Sequence, residues 1–314
     1  MPHDHSSHDH GHSHAHGLPP DAGRSTLQLF AIGIAINLAF VVVEAGFGWS
    51  ADSLALLADA GHNFGDVVGL ALAWFGAWLA ARPPSQRFTY GLGGSTILAA
   101  MGNAMLLFVA VGGIVFAAFA RLVTPAPINE TVVIWVAAAG IVVNGATALL
   151  YMARRHGDLN VRGAYLHMVA DAAVSAGVVA AGVLVHFTGY TWIDPATGLV
   201  IAIVILVGTW GLLRDSMRLA LAAVPSDIDA DGVRDYLAGL DGVSTVHDLH
   251  IWAMSTTENA LTAHLVMPGG HPGDAFLASA CTAIDKRFRV SHVTLQIETA
   301  DTAHPCSLET RHAA

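Results

Sequence analysis

Six apolar stretches dominate the chain: Thr26–Phe47, Ser53–Ala80, Ser95–Ala120, Thr131–Ala153, Asn160–Phe187 and Trp192–Leu213. Wound as a helix, about 20 apolar residues cross the roughly 30 Å hydrocarbon core of a bilayer, so each stretch is long enough to span one. With 54% hydrophobic and only 12% charged residues, the 314-residue chain does not have the composition of a soluble globular protein. The sequence therefore predicts an integral membrane protein with an α-helical domain of six transmembrane helices. The N-terminus is too polar for a secretory signal, so the first membrane helix is expected to stay in the mature chain.

Two of these stretches carry the same residue types at the same spacing. His62 and Asp66 lie in the second, His167 and Asp171 in the fifth. Four residues is about one helical turn, so each pair occupies one face of its helix. Ionisable groups in a membrane helix are costly and mark an ion path or a paired functional site. Two imidazoles and two carboxylates can supply four ligands to a tetrahedral zinc ion if the two helices pack together. The competing reading is polar glue between helices. Repetition of the spacing at similar depth in two helices favours the metal site.

Other polar and small residues in the stretches have their own readings. Asp59 lies one turn before His62 and reads either as a carboxylate orienting that imidazole or as an exposed attractor at an entrance. Gly61, Gly65 and Gly69, and Ala173, Gly177 and Ala181, form two small-residue stripes. Facing one another, the stripes would bring the two ligand pairs within reach of one ion. Asn37, Asn103 and Asn144 read as helix-bridging amides, and Glu44 as a carboxylate that reaches the interface at the extracytoplasmic end of its helix.

The short loop Gly48–Asp52 makes the first two helices an antiparallel hairpin. Arg24, Arg82, Arg87, Arg154, Arg155, Arg162, Arg214 and Arg218 flank the helices on the side of the termini, and only Arg121 flanks the other. Positive charge stays inside, so both termini are expected to be cytoplasmic, with a bacterial inner (plasma) membrane as the setting. Residues 1–24 form a polar tail in which His3, His5, His8, His10, His12, His14 and His16 alternate with Asp, Ser, Gly and Ala. This reads as a flexible tract that captures or buffers metal without fixed geometry. The net charge of −10 lies outside the apolar stretches, and no basic patch argues for nucleic acid. Cys281 and Cys306 make no disulfide framework.

After the membrane domain (residues 25–220), the composition turns soluble from Pro225. Asp229–Leu240 and Pro272–Phe288 have helical patterns, whereas Val243–Met254, Ala260–Pro268 and Ser291–Thr299 alternate as strands. The order αββαβ predicts a small α+β cytoplasmic domain of ferredoxin-like type over residues 225–300, followed by a tail at 301–314. Its core is marginal, so dimerisation would help to stabilise it. Strand parity places His264, His292 and Glu298 on the polar sheet face as a second metal site, with Cys306 near in chain order. His247 and His250 rank below them, and solvated polar residues on an exposed sheet are the alternative.

The stretch SADSLALLADAGHNFGD (Ser50–Asp66), the later HMVAD, the TYG at Thr89–Gly91, and the segments HDLHIW and HVTLQIE together resemble the cation diffusion facilitator family of zinc transporters. The resemblance runs over about residues 25–300. It implies a Y-shaped homodimer that exports Zn²⁺ from the cytoplasm in exchange for protons, with no prosthetic group. It further implies that His62, Asp66, His167 and Asp171 occupy the transport-site positions. His264, His292 and Glu298 match cytoplasmic-domain positions that bind zinc in some members. The His-Asp/His-Asp set resembles zinc-preferring members, whereas Asp in place of the first His resembles members that also accept cadmium. At the start of the third helix Gly94 and Thr96 stand where many relatives carry a basic residue and Glu, so a charge interlock with the sixth helix is not expected. The loop from Arg82 to Tyr90 lacks His and Asp and should hold no metal. Two other functions compete with proton-coupled export: a membrane-embedded zinc hydrolase, and a sensor that binds zinc without moving it. The hydrolase needs an open coordination position and a general base, and no His-Glu-x-x-His occurs.

Overall fold

The structure, a computed structural model, describes residues 24–124, 126–152 and 159–299. Six long helices come first: α1 (Arg24–Ser50), α2 (Leu54–Ala80), α3 (Gly94–Val123), α4 (Glu130–Met152), α5 (Leu159–Thr188) and α6 (Ile193–Ala220). Then follow α7 (Ala230–Ala238), β1 (Thr245–Ala253), β2 (Asn259–Val266), α8 (Asp274–Phe288) and β3 (His292–Glu298). Helices α2 to α6 contain stretches long and apolar enough to cross a membrane, and the described apolar part of α1 is Ile34–Ser50. α6 runs past Leu213 to Ala220, and the chain leaves it through Ala222 at a positive φ of 55° and then Pro225.

The chain forms two compact units, one of residues up to Trp74 with Gly102–Leu213, the other of Phe75–Met101 with the residues from Arg214 on. In the first, large apolar side chains such as Val109, Phe116, Trp135 and Val207 point outward, as the side chains of lipid-facing helices do. Its interior is built of small and branched residues, among them Ala55, Leu56, Ala58, Val133, Ala137, Val178 and Ala202. α5 packs along α4, where a side chain at Gly140 would meet Ser175 Oγ at 2.9 Å and Phe40 of α1 at 3.0 Å.

The glycine stripe of α2 does not serve the purpose expected of it. A Cβ at Gly65 would collide with Leu107, one at Gly69 would lie 2.7 Å from Asn103 Nδ2, and Gly61 faces Ile114, all on α3. A Cβ at Gly177 of the other stripe would meet nothing among the described residues outside its own helix. The stripe thus seats α3 against α2, and the ligand face of α2 is a different one.

The start of α2 is fixed from outside its own sequence. Asp194 of α6 accepts from Leu54 N at 2.7 Å, from Ala55 N at 3.4 Å and from Ser53 Oγ, so a carboxylate of another helix caps the N-terminus and complements its dipole. Arg121 of α3 pairs with Asp52 in the turn just before.

In the second unit, β1 and β2 pair antiparallel and β2 and β3 parallel, in the sheet order β1-β2-β3. One sheet face packs with Val233 and Leu237 of α7 and Ile284 of α8 over Leu261, Ala263 and Leu265. Asp229 caps α7 by accepting from Gly232 N at 3.0 Å. β1 is interrupted between His247 and His250, where Asp248 has a φ of 50° and the register shifts. The ends of α2 and α3 belong to this unit. Thr96 Oγ1 accepts from the backbone N of Thr256 at 3.0 Å, so the residue that replaces the expected Glu ties α3 to the β1–β2 turn by a neutral hydrogen bond.

Candidate metal centre

His62 and Asp66 project from one turn of α2, and His167 and Asp171 from one turn of α5. Their side chains meet in a closed ring of alternating imidazoles and carboxylates. His62 Nε2 lies 3.8 Å from Asp66 Oδ2 and 3.6 Å from Asp171 Oδ1. His167 Nε2 lies 3.1 Å from Asp66 Oδ2 and 3.6 Å from Asp171 Oδ2. The two rings stand edge to face, 6.0 Å apart and at 83°. The four contacts lie near the edges, about 3.3–3.6 Å, of a tetrahedron with metal–ligand bonds of about 2.0–2.2 Å, but Asp171 makes its two through different oxygens, so an ion would have to draw the donors closer together. Both helices contribute one nitrogen and one carboxylate, so an ion held here would bridge them.

Around the ring the two antiparallel helices pair in rungs. Asp66 meets His167, His62 meets Asp171, and one turn on, toward the α1–α2 turn, Asp59 Oδ2 accepts from Ser175 Oγ at 3.0 Å. Asp59 is fully buried, which removes the reading of it as an exposed attractor. Nδ1 of His62 makes no hydrogen bond, so Asp59 does not orient that ring by one. Glu44 is also fully buried and does not reach an interface, correcting its placement from sequence. Asn37 Nδ2 donates to Met168 Sδ at 3.3 Å and so bridges α1 to α5 beside the ring, as an interhelical amide should.

The sheet of the second unit assembles a second cluster. His247, His264 and Glu298 each offer a ligand atom within 4.8 Å of the other two. His247 Nε2 lies 3.0 Å from Glu298 Oε2, and His264 Nδ1 2.9 Å from Glu298 Oε1. His264 is buried, and its Nε2 faces Asp248 Oδ2 at 3.6 Å, while Asp248 Oδ1 lies 3.1 Å from His250 Nε2. Two nitrogens and a carboxylate are a donor set suited to zinc.

His292 is not part of this cluster. It pairs in register with Ala260, whereas Glu298 pairs with Val266, so six residues of strand, about 20 Å, separate the two. Its ring stands instead edge to face with Tyr90 of the TYG segment, 5.3 Å away. His247 takes the expected place of His292 because the antiparallel register sets it directly opposite His264. Cys306 and the tail histidines His3, His5, His8, His10, His12, His14 and His16 lie outside the described residues.

Residues 30–219 match the family described as the cation efflux transmembrane domain, and residues 225–300 match the cytoplasmic domain of cation efflux proteins. The chain is a member of the cation diffusion facilitator family. Similar curated proteins include the cation efflux system protein CzcD of Alcaligenes sp. (strain CT14), 35% identical over 276 residues that cover 88% of this chain and 86% of the relative. The zinc transporter ZitB of Escherichia coli is 33% identical over 281 residues, covering 89% of each. A Bacillus subtilis protein named a cadmium, cobalt and zinc/H(+)-K(+) antiporter is 31% identical over 281 residues, 87% of this chain and 89% of the relative. This cation diffusion facilitator is therefore an integral membrane cation transporter and not an enzyme, which removes the hydrolase reading of the intramembrane ring.

Proposed function

We propose that the chain exports Zn²⁺ from the cytoplasm in exchange for protons, holding the ion between α2 and α5 on His62, Asp66, His167 and Asp171. The observation that carries the reading is the closed ring in which two imidazoles and two carboxylates of α2 and α5, a donor set suited to zinc, approach their ring neighbours to 3.1–3.8 Å. The names of the relatives support the choice of ion, because zinc is common to ZitB and to the Bacillus antiporter. In this reading α1 to α6 all span, both termini are cytoplasmic, and the membrane is the bacterial inner membrane. Residues 1–24 capture metal, 25–220 transport it, 225–300 form a ferredoxin-like dimerisation domain, and 301–314 are a tail. The protein works as a homodimer, with a regulatory zinc on His247, His264 and Glu298.

Exchange follows from the chemistry of the ligands. Zn²⁺ requires neutral imidazole and ionised carboxylate, so metal and protons compete for the same four side chains. Acid on the outer side displaces the ion from the outward-facing site. The protonated site returns and releases its protons to the more alkaline cytoplasm, where zinc binds again. The empty site with both carboxylates ionised carries unpaired charge in low dielectric and is costly to turn over, which ties return to proton binding.

Uptake of ⁶⁵Zn into inverted membrane vesicles tests the reading. Wild-type vesicles, acidic inside, should accumulate zinc. Occupancy of the protein without accumulation would replace export by the sensor reading.

A further inference from the structure

One turn beyond the metal ring, toward the α1–α2 turn, lies a pair of carboxyl groups that metal coordination does not use. Glu44 of α1 is fully buried, and neither of its oxygens has a hydrogen-bond partner among the described residues. Asp59 of α2 is equally buried, and while its Oδ2 accepts from Ser175, its Oδ1 likewise has none. The Nδ2 of Asn63, buried beside them, also lacks an acceptor. Gly48, one turn after Glu44, packs on Leu56 and Leu57 of α2, so the α1–α2 hairpin sets Glu44 level with Asp59, one turn after Leu56, and the charged groups about the pair are His62 and Asp171 of the ring. Lysine and arginine are absent from the sequence between Ile34 and Trp210 except at Arg82, Arg87, Arg121, Arg154, Arg155 and Arg162, of which the described four, Arg82, Arg87, Arg121 and Arg162, lie in loops or near helix ends. Two neighbouring carboxyls in a dry interior, with no lysine or arginine beside them and too few donors, do not both stay ionised. A single proton answers every one of these orphan groups at once. It neutralises one carboxyl, supplies an O–H donor to the other, and leaves an acceptor for Asn63 Nδ2.

We propose that Glu44 and Asp59 form a proton-binding site separate from the metal ligands, holding one proton while the ring is empty and losing it when a divalent cation arrives. The pair lies one turn from His62 on α2 and, through Ser175, one turn from Asp171 on α5. A dication in the ring places positive charge beside the pair and favours its ionised form. The proton leaves as H⁺ and returns from water when the metal departs, so the cycle balances without any co-reactant. This rests on the exporter reading and adds to it a proton that no metal ligand carries.

Infrared difference spectroscopy on the full-length protein in lipid, free of metal, reads the proton directly. At neutral pH the wild type should show the C=O band of a protonated carboxyl, absent from Glu44→Gln and abolished in the wild type by zinc. Asp59→Asn, which removes the partner, should shift the band, and it serves where Glu44→Gln does not fold. In weakly buffered solution the wild type should release up to about one more proton per bound zinc than Glu44→Gln, with zinc affinity within about threefold. A band unchanged in both variants, or absent from the wild type, overturns the site. Loss of the band on adding K⁺ or Na⁺ instead of zinc overturns it in favour of a monovalent cation site. Persistence of the band in a His62→Ala protein that no longer binds zinc keeps the two readings apart: the proton site would stand even if the exporter reading fell.

Discussion

Replacing Asp171 by alanine is the sharpest single perturbation of the ring. Its side chain is 2% exposed and faces both imidazoles, His62 through Oδ1 and His167 through Oδ2, so the change removes two of the four ring contacts at once. Four protein ligands hold zinc in small structural sites with about 10–16 kcal/mol, or roughly 2.5–4 kcal/mol per ligand. A transport site must also let its ion go, so the lower figure applies, and at about 1.4 kcal/mol per decade it means roughly 100-fold weaker binding. Asp171→Asn keeps the volume and removes the charge, so it should lose affinity in the same direction without leaving a cavity. Competition titration against a zinc indicator in detergent micelles measures the affinity, and size-exclusion chromatography checks the fold. An affinity within about threefold of wild type in a well-folded Asp171→Ala protein would refute the assignment of this carboxylate.

Three further outcomes follow from the same geometry. His62→Asp exchanges an imidazole for oxygen, which suits harder ions and larger shells, so competition assays should show cadmium or manganese gaining on zinc; an unchanged ranking would count against His62 as a ligand. In the cytoplasmic cluster, His247→Ala should weaken metal binding by the 225–300 region at least tenfold while His292→Ala leaves it unchanged, and calorimetry that found the reverse would overturn the observed strand register as the basis of the site. Deleting residues 3–16 should leave maximal zinc flux within about twofold and alter only the apparent affinity at low zinc, because a tract without fixed geometry captures metal but does not carry it across.

Much of this arrangement was legible in the residues because it follows from periodicity. Bilayer thickness sets the length of the apolar runs, and the one-turn spacing of His62–Asp66 and His167–Asp171 sets the face each pair occupies. The small-residue stripe misled because spacing tells which face of a helix is narrow and not which neighbour fills it. Gly65 and Gly69 turned out to receive Leu107 and Asn103 of α3. In the cytoplasmic sheet, alternation gave the polar face of β2 and β3, but parity holds along a whole strand and does not say which residues are level across the sheet. The register, with His264 opposite His247 and Glu298 six residues beyond His292, comes from pairing and from the irregularity at Asp248, neither of which one strand reveals. Glu44 was misplaced for a related reason: position near a helix end predicts exposure only when no other helix covers it.

The claim at the centre of the account is that zinc and protons exchange at the four-residue ring. Purified protein in liposomes, with a pH dye and a zinc indicator inside and a pH gradient acid on the inside, measures both fluxes at once. The account predicts that external zinc enters as the lumen alkalinises, that collapsing the gradient slows entry, and that Asp171→Ala abolishes both signals together. Zinc entry at full rate with no proton counterflow and no response to collapsing the gradient would contradict it.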